Sequence, residues 1–296
     1  MSDAIVYGLR TCNADMTSRG GFAWPREGWV EAPDWDPSPE CGGGLHFLRN
    51  GEGDADLLSH DADAVWQVIM SYESETVDID NTKSKAKRCN VLLSGPWHEA
   101  TAKLRSLVGS DKRIPYVCET AGDRSVQTAG DHSVQTAGDR SVQTAGDRSV
   151  QTAGHWSSQT AGRRSAQTAG RRSVQTAGDW SSQTAGDWSS QTAGDRSVQT
   201  AGHWSSQTAG HWSSQTAGDR SVQTAGYYSV QTAGDRSVQT AGGGSVLICR
   251  WCDVTTGHFR ISVAIVGNGG TLKPNTPYRV SKGVWTEVTP ETGDAS

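Results

Sequence analysis

One octapeptide, A-G-x-x-S-x-Q-T, is written fifteen times without a gap from Ala121 to Thr240, and nothing else in the chain constrains its fold as strongly. Ala, Gly, Ser, Gln and Thr never change across those copies, and a sixteenth, decayed copy (Ala241 to Ile248) leads out of the array. A short fixed period identifies a stacked, quasi-one-dimensional architecture. Within each unit the run S-x-Q-T-A has no breaker, and Gly with its two variable neighbours reads as the corner. A single octad is too short to close a coil with two sides. Two octads give a flattened coil with two strands and two corners, and about seven and a half coils stacked at about 4.8 Å predict a solenoid roughly 36 Å long. Disorder is the competing reading for Gly/Ser/Gln/Thr-rich repeats. The fixed phase of Gly and Ala and the recurrence of Trp and Val argue for order.

Alternation along a strand separates Ser, Gln and Ala from Thr and the variable sixth residue. The sixth position wanders among Val, Ser and Ala, which a packed interior resists. The constant residues therefore face inward, as ladders of identical side chains that satisfy one another between coils (Ser125, Ser141 and Ser157; Gln127, Gln143 and Gln159). The outward face then carries one column of Thr128, Thr144, Thr160, Thr176, Thr192, Thr208, Thr224 and Thr240. A second carries Thr136, Thr152, Thr168, Thr184, Thr200, Thr216 and Thr232.

At the fourth position, Trp156, Trp180, Trp188, Trp204 and Trp212 are each followed two residues later by Ser. A wide indole beside a small Ser on one strand face accounts for this, and duplication of two ancestral octads accounts for it equally. The 16-residue period puts Trp156, Trp188 and Trp204 on one edge, with Trp180 and Trp212 on the other. The third and fourth positions often read Asp-Arg, which makes a solvated edge with no basic stripe for nucleic acid. One Asp per octad also falls short of the ligand density of a calcium-binding β-roll.

The octad resembles the repeat of the bacterial ice-nucleation proteins, close to A-G-Y-G-S-T-Q-T, at its Ala, Gly, Ser, Gln and Thr. That resemblance covers about 120 of the 296 residues and implies a β-solenoid of paired octads whose outward T-x-T rows order water. Two departures stand out. The first Thr of T-x-T is Val in nine copies, Ser in five and Ala at Ala166, and the family's third-position Tyr occurs only as Tyr227.

The flanking sequence differs in composition. The chain carries a net charge of −5, and residues 1–120 hold 12 basic and 19 acidic side chains, so the excess acid lies ahead of the repeats. No run is apolar enough to span a membrane, and the first residues lack a signal peptide's basic and apolar regions. Without an export signal the six cysteines read as reduced thiols. Residues 1–112 read as a small α+β domain. Strands are predicted at 4–8, 64–70, 89–93 and around Leu45-His46-Phe47, and a helix from Pro96 to about Val108 buries Trp97, Ala100, Leu104, Leu107 and Val108. Residues 113–120 lead in, 121–248 form the solenoid, and 249–296 form a β-rich cap with a flexible tail, covering strand edges that would otherwise pair with other chains.

Three features ahead of the array resemble parts of known sites. Cys41 and His46, completed by Cys12 or His60, lack the two close ligand pairs of a zinc site. The three glycines at 42–44 are followed by an apparent strand and no Lys-Ser/Thr, unlike a phosphate loop. The run Lys83 to Arg88 reads as a solvated loop. In the tail, Cys249 and Cys252 match C-x-x-C, yet residues three apart on a strand face opposite sides. The segments Val6-Tyr7-Gly8, Asp15 to Gly20, Cys41 to His46 and Ser84-Lys85-Ala86 resemble an uncharacterised domain of phage and bacterial proteins. There too the domain precedes Ser/Thr/Gly/Ala repeats and a small β-rich tail, here residues 271–278 and 283–288. This resemblance brings no catalytic residues.

No triad, carboxylate pair, metal cluster or cofactor loop is legible, so the expectation is a non-enzymatic repeat protein without cofactor, cytoplasmic or virion-associated. Two functions compete: ordering of water or ice by the outward Val/Ser-x-Thr rows, and a phage-type spacer or assembly module with self or host-surface partners. An enzyme within residues 1–110 is the third.

Overall fold

The computed structural model describes residues 3–59, 61–267 and 269–288. Its contacts divide the chain into two bodies, residues up to 119 with 127–135, and residues 120–126 with 136 onward.

The first body is built on a seven-stranded sheet. Its strands are β1 (Ile5–Cys12), β2 (Gly28–Glu31), β3 (Leu45–Arg49), β4 (Val65–Tyr72), β5 (Thr76–Ile79), β6 (Lys83–Ala86) and β7 (Arg88–Gly95). They lie in the order β2-β7-β4-β1-β3-β6-β5, with every neighbouring pair antiparallel. Alternation sorts the central strands into two cores. Leu9, Trp66 and Val68 face the single helix α1 (Trp97–Val108) and its Ala100 and Leu104, while Val6, Cys12 and Ile69 pack with Trp24 on the other face. Gly8 lies on that second face because a Cβ there would come within 2.2 Å of the Phe47 ring.

Three expectations need correction here. Pro96 is the N-cap of α1, one residue before its first turn. Trp97 is exposed, its ring set edge-on to His98 instead of in the core. The basic run is not a solvated loop: Lys83–Ala86 is strand β6, and Lys85 is fully buried, its Nζ donating to the carbonyls of Glu40 and Gly42 at 2.9 Å each. A lysine can be buried this way because carbonyl oxygens replace the water its ammonium loses.

The array is a β-solenoid of about eight turns of 16 residues each. In the second body the odd octads from Val142–Thr144 onward form one parallel sheet and the even octads from Val150–Thr152 onward form another. Each residue pairs with its equivalent sixteen positions on, as Thr176 does with Thr192. Ser, Gln and Ala are buried in the middle copies. Gln191 shows how so polar an interior is stable. Its Nε2 donates to Gln175 Oε1 at 2.8 Å along the stack and to the Thr200 carbonyl at 3.0 Å across to the other sheet, while its Oε1 accepts from Gln207 at 2.8 Å. Ser189 completes the pattern, its amide donating to Ser205 Oγ at 3.3 Å and its own hydroxyl to the Asp187 carbonyl. Every amide group on the glutamine is thus used, the condition for burying it without penalty.

Within the corner the turn falls on glycine's two variable neighbours, and glycine does not supply its left-handed residue. The fourth residue of every octad (Arg, His, Trp or Tyr) sits in the left-handed region with φ between 55° and 62°. Its amide is fixed by the next coil, as Trp188 N donates to the His203 carbonyl at 2.9 Å. The array glycines have ordinary φ and are needed for contact instead. A Cβ on Gly202 would lie 2.7 Å from the Asp187 amide nitrogen and 2.0 Å from its Oδ1.

At the exit, Val246–Cys252 extends one sheet and carries the antiparallel strand Phe259–Ile265, while Tyr278–Ser281 meets the other sheet through Gln239 and carries Val284–Glu287. Leu247 takes the glutamine's place opposite Gln231 and joins Ala264, Val266, Leu272 and Tyr278 in an apolar plug. Cys249 is buried and Cys252 half-buried on that strand, and all six cysteines are free thiols. His60, Asn268 and the tail from 289 lie outside the described residues.

Candidate functional site: the outward threonine columns and their edges

A three-residue strand with its glutamine buried has only two side chains left to present, the sixth and the eighth of the octad. Thr152, Thr160, Thr168, Thr176, Thr184, Thr192, Thr200, Thr208, Thr216 and Thr224 are all exposed, as is Thr136; Thr128, Thr144, Thr232 and Thr240 are half-buried. Backbone pairing holds them in two columns. Thr144, Thr160, Thr176, Thr192, Thr208, Thr224 and Thr240 pair successively on one sheet. Thr152, Thr168, Thr184, Thr200, Thr216 and Thr232 pair on the other. Beside each column runs the sixth residue, with Val142, Val150, Val174, Val198 and Val222 between 43% and 49% exposed. Of the inward set, Ser141, Gln143, Ser157, Gln159 and Gln127 are buried and Ser125 is half-buried. Gln159 donates to Gln143 at 2.8 Å, and Ser125 and Ser141 donate their amides to Ser141 Oγ and Ser157 Oγ at 3.3 Å.

The edges hold more order than a solvated Asp-Arg rim. Third-position side chains accept the third-position amide of the next coil: Asp139 Oδ1 from His155 at 2.7 Å, His155 Nδ1 from Arg171 at 2.8 Å, Asp195 Oδ1 from His211 at 2.7 Å and His211 Nδ1 from Tyr227 at 2.9 Å. This explains why Asp and His dominate there: each offers an acceptor one short side chain from the backbone. Arginine has none, so Arg163 and Arg171 offer nothing to the amides of Asp179 and Asp187. The signal was present in the sequence as the narrow choice of residues at position three, but its meaning depends on which amide lies one coil away.

Fourth-position side chains stack along both edges. Trp188 and Trp204 lie parallel at 5.1 Å, in adjacent coils as the 16-residue period places them. Arg220 covers Trp204 and Arg172 covers Trp156, each at 4.5 Å. On the other edge Arg196 covers Trp180 at 4.7 Å and Trp212 stacks on Tyr228 at 4.6 Å. Cation–π and offset contacts of this kind stabilise exposed rings. The pairing of Trp with Ser at position six is not a same-face contact within a strand, because position four belongs to the left-handed corner and the strand begins at position six.

The cysteine, histidine and glycine features ahead of the array resolve differently. Cys41 is exposed with Lys83 Nζ at 3.0 Å from its sulfur, and Cys12 is buried. His46 is half-buried and its pKa is lowered to about 4 by burial and by the positive charges of Lys83, Lys85 and Arg10. No three His, Cys, Asp or Glu converge among the described residues. The glycines at 42–44 precede β3 and not a helix.

Comparison with known proteins places the two halves separately. Residues 6–103 match the family described as Domain of unknown function (DUF7666). The array is 33% identical over 96 residues to an ice nucleation protein of Pseudomonas fluorescens and 48% identical over 96 residues to one of Xanthomonas campestris pv. translucens. The repeat array is homologous to those of ice nucleation proteins. Ice nucleation protein InaU of Pantoea ananas is 38% identical over 80 residues. These three alignments cover 27–32% of this chain and 6–8% of the relatives, so the chain spans a small fraction of their length. No solved structure matches. Among the described residues no helix is long and apolar enough to cross a membrane.

Proposed function

We propose that this is a non-enzymatic protein whose outward Val/Ser-x-Thr face orders water and binds ice. The observation that carries the reading is the registration of outward Thr residues, most of them exposed, by backbone pairing, six successive steps on one sheet and five on the other. Each column presents a hydroxyl and a methyl at intervals of about 4.8 Å, so the longer one extends roughly 29 Å. Ordered water must match fixed points over an area, and short strands locked by an interior glutamine ladder keep those points from moving. The similarity to ice nucleation proteins supports the same reading. Val in place of the first Thr in nine octads removes a hydroxyl while keeping a methyl, which favours adsorption to ice over strong nucleation.

Thr176→Lys, Thr192→Lys and Thr208→Lys together roughen one column without touching the Ser/Gln interior. Droplet freezing and thermal hysteresis of the wild type should exceed those of this variant, while circular dichroism stays unchanged. Equal freezing of the two would leave the array as a spacer that presents the N-terminal domain.

A further inference from the structure

The N-terminal domain contains a cavity of about 920 Å³ beside the second face of its sheet, under the loops that precede β3. Arg10 lines it from β1, only 6% exposed. A buried guanidinium ordinarily has a carboxylate beside it, because losing water without a counter-charge is strongly unfavourable. Arg10 has none. Its Nη1 donates to Cys12 Sγ at 2.8 Å and to Gln67 Oε1 at 2.5 Å, and its guanidinium carbon lies 3.5 Å over the Trp24 ring. All three are neutral groups, since burial pushes the Cys12 thiol up. Among the described residues its Nε has no hydrogen-bond partner at all.

The surroundings do not correct the imbalance. Lys83 and Arg19 also line the cavity, and Lys85 lies behind the glycine turn with only carbonyls on its ammonium. The two acids on the lining accept from neighbours within it, Asp34 from the Gly44 amide and Asp61 from the Ser59 hydroxyl, and neither is ion-paired with Arg10 among the described residues. The pKa of His46 is lowered by burial first, and then by the positive charges of Lys83, Lys85 and Arg10. The rest of the lining includes Phe22, Trp24, Phe47, Leu57 and Leu58, an apolar wall for the body of a ligand. A cavity of this size with apolar walls and a few convergent polar groups is the usual form of a small-molecule site.

We infer that this cavity binds a small organic anion, a carboxylate or phosphate monoester with an apolar or aromatic body, whose oxygens pair with Arg10. Guanidinium is suited to this because its planar fork meets two oxygens at once. Gln67 and Trp24 hold that fork in place. The glycine turn and Lys83 line the same cavity, so the anionic end would meet positive charge while the rings take the apolar end.

The test uses the full chain labelled with ¹⁵N, observing arginine Nε–Hε resonances while adding inorganic phosphate, phenyl phosphate, benzoate or the neutral isostere benzamide. The Arg10 resonance, assigned by its loss in Arg10→Lys, should shift saturably with phenyl phosphate or benzoate at Kd of about 1 mM or tighter, and at least about ten-fold more weakly with benzamide. Preference for phenyl phosphate identifies a phosphate ligand, and preference for benzoate a carboxylate. Arg10→Lys keeps the charge but loses the fork and should weaken binding about ten-fold or more with the thermal transition retained. Should that variant not fold, Lys83→Gln on the cavity wall should still weaken the anions and leave benzamide alone. Equal response to benzoate and benzamide, or no saturable shift with any probe up to about 10 mM, would overturn the assignment.

Discussion

Leu104 in the N-terminal domain and Gln191 in the array are almost equally inaccessible, 0% and 1% exposed, yet they are held by opposite physics. Leu104 is one of many unlike apolar side chains that close a core between α1 and the sheet, and its neighbours come from positions scattered over the first 130 residues. Gln191 is surrounded by copies of itself, and its energy resides in directed hydrogen bonds to the coils before and after. A heterogeneous core is cooperative over the whole domain. A ladder is cooperative only along its axis, so it can be extended or shortened by whole coils without redesign.

Breaking one member of each should show the difference most strongly. Leu104→Ala is expected to destabilise the N-terminal domain by about 2–5 kcal/mol through lost burial and a cavity. Gln191→Ala strips partners from Gln175, Gln207 and the Thr200 carbonyl, costing about 1–3 kcal/mol for each buried group left unsatisfied. Hydrogen exchange separates the two: Leu104→Ala should raise exchange across all seven strands β1–β7, Gln191→Ala only in octads within a coil or two. Exchange spread evenly over the array would mean that the ladder is as cooperative as the core.

Backbone contact gives the next largest contrast. Gly202→Ala forces a methyl against the Asp187 amide and should cost about 1–3 kcal/mol. Gly20→Ala in the first body meets nothing within 4 Å and should stay within about 0.5 kcal/mol. Thermal denaturation of the two single variants decides the point, and a neutral Gly202→Ala would show that coils can move apart.

A smaller effect concerns the third-position acceptors. Asp139→Ala removes the partner of the His155 amide and should cost about 1 kcal/mol, as loss of a helix cap does. Arg163→Asn should instead gain a few tenths of a kcal/mol or more by supplying an acceptor toward the Asp179 amide. Urea titration of both variants tests the sign, and a stabilising Asp139→Ala would remove the acceptor ladder as an account of this edge.

The last contrast is a pH response of the N-terminal domain. His46 remains neutral in the fold down to about pH 4, whereas unfolded histidine takes a proton near its ordinary value of 6.5. As pH falls from 6.5 toward 4 the unfolded state therefore binds more protons, and stability declines with falling pH. The groups that set this are burial first, then Lys83, Lys85 and Arg10, opposed by Asp34. His46→Gln should flatten the urea midpoint of β1–β7 over that window, and an unchanged slope would mean that His46 takes its proton in the fold as readily as outside it.

The repeat period determined a great deal unaided. A strict octad with one constant half can only bury that half, and a coil with two sides needs two octads. The 16-residue register, the inward Ser and Gln, the outward Thr and the neighbouring Trp188 and Trp204 all follow from counting. The main strands and α1 of the first body were legible for the same reason, since each buries a periodic apolar face. Tertiary structure decided what counting cannot reach, namely which atoms meet across coils and across the sheet. The corner's left-handed residue is the fourth and not glycine, because glycine's missing Cβ is needed against the residue fifteen positions earlier. Position three is a column of acceptors because an amide from the next coil arrives there. Lys85 and Arg10, polar in any sequence reading, are buried because residues 24, 40, 42 and 67 fold over them, and no local pattern encodes contacts made at such separations.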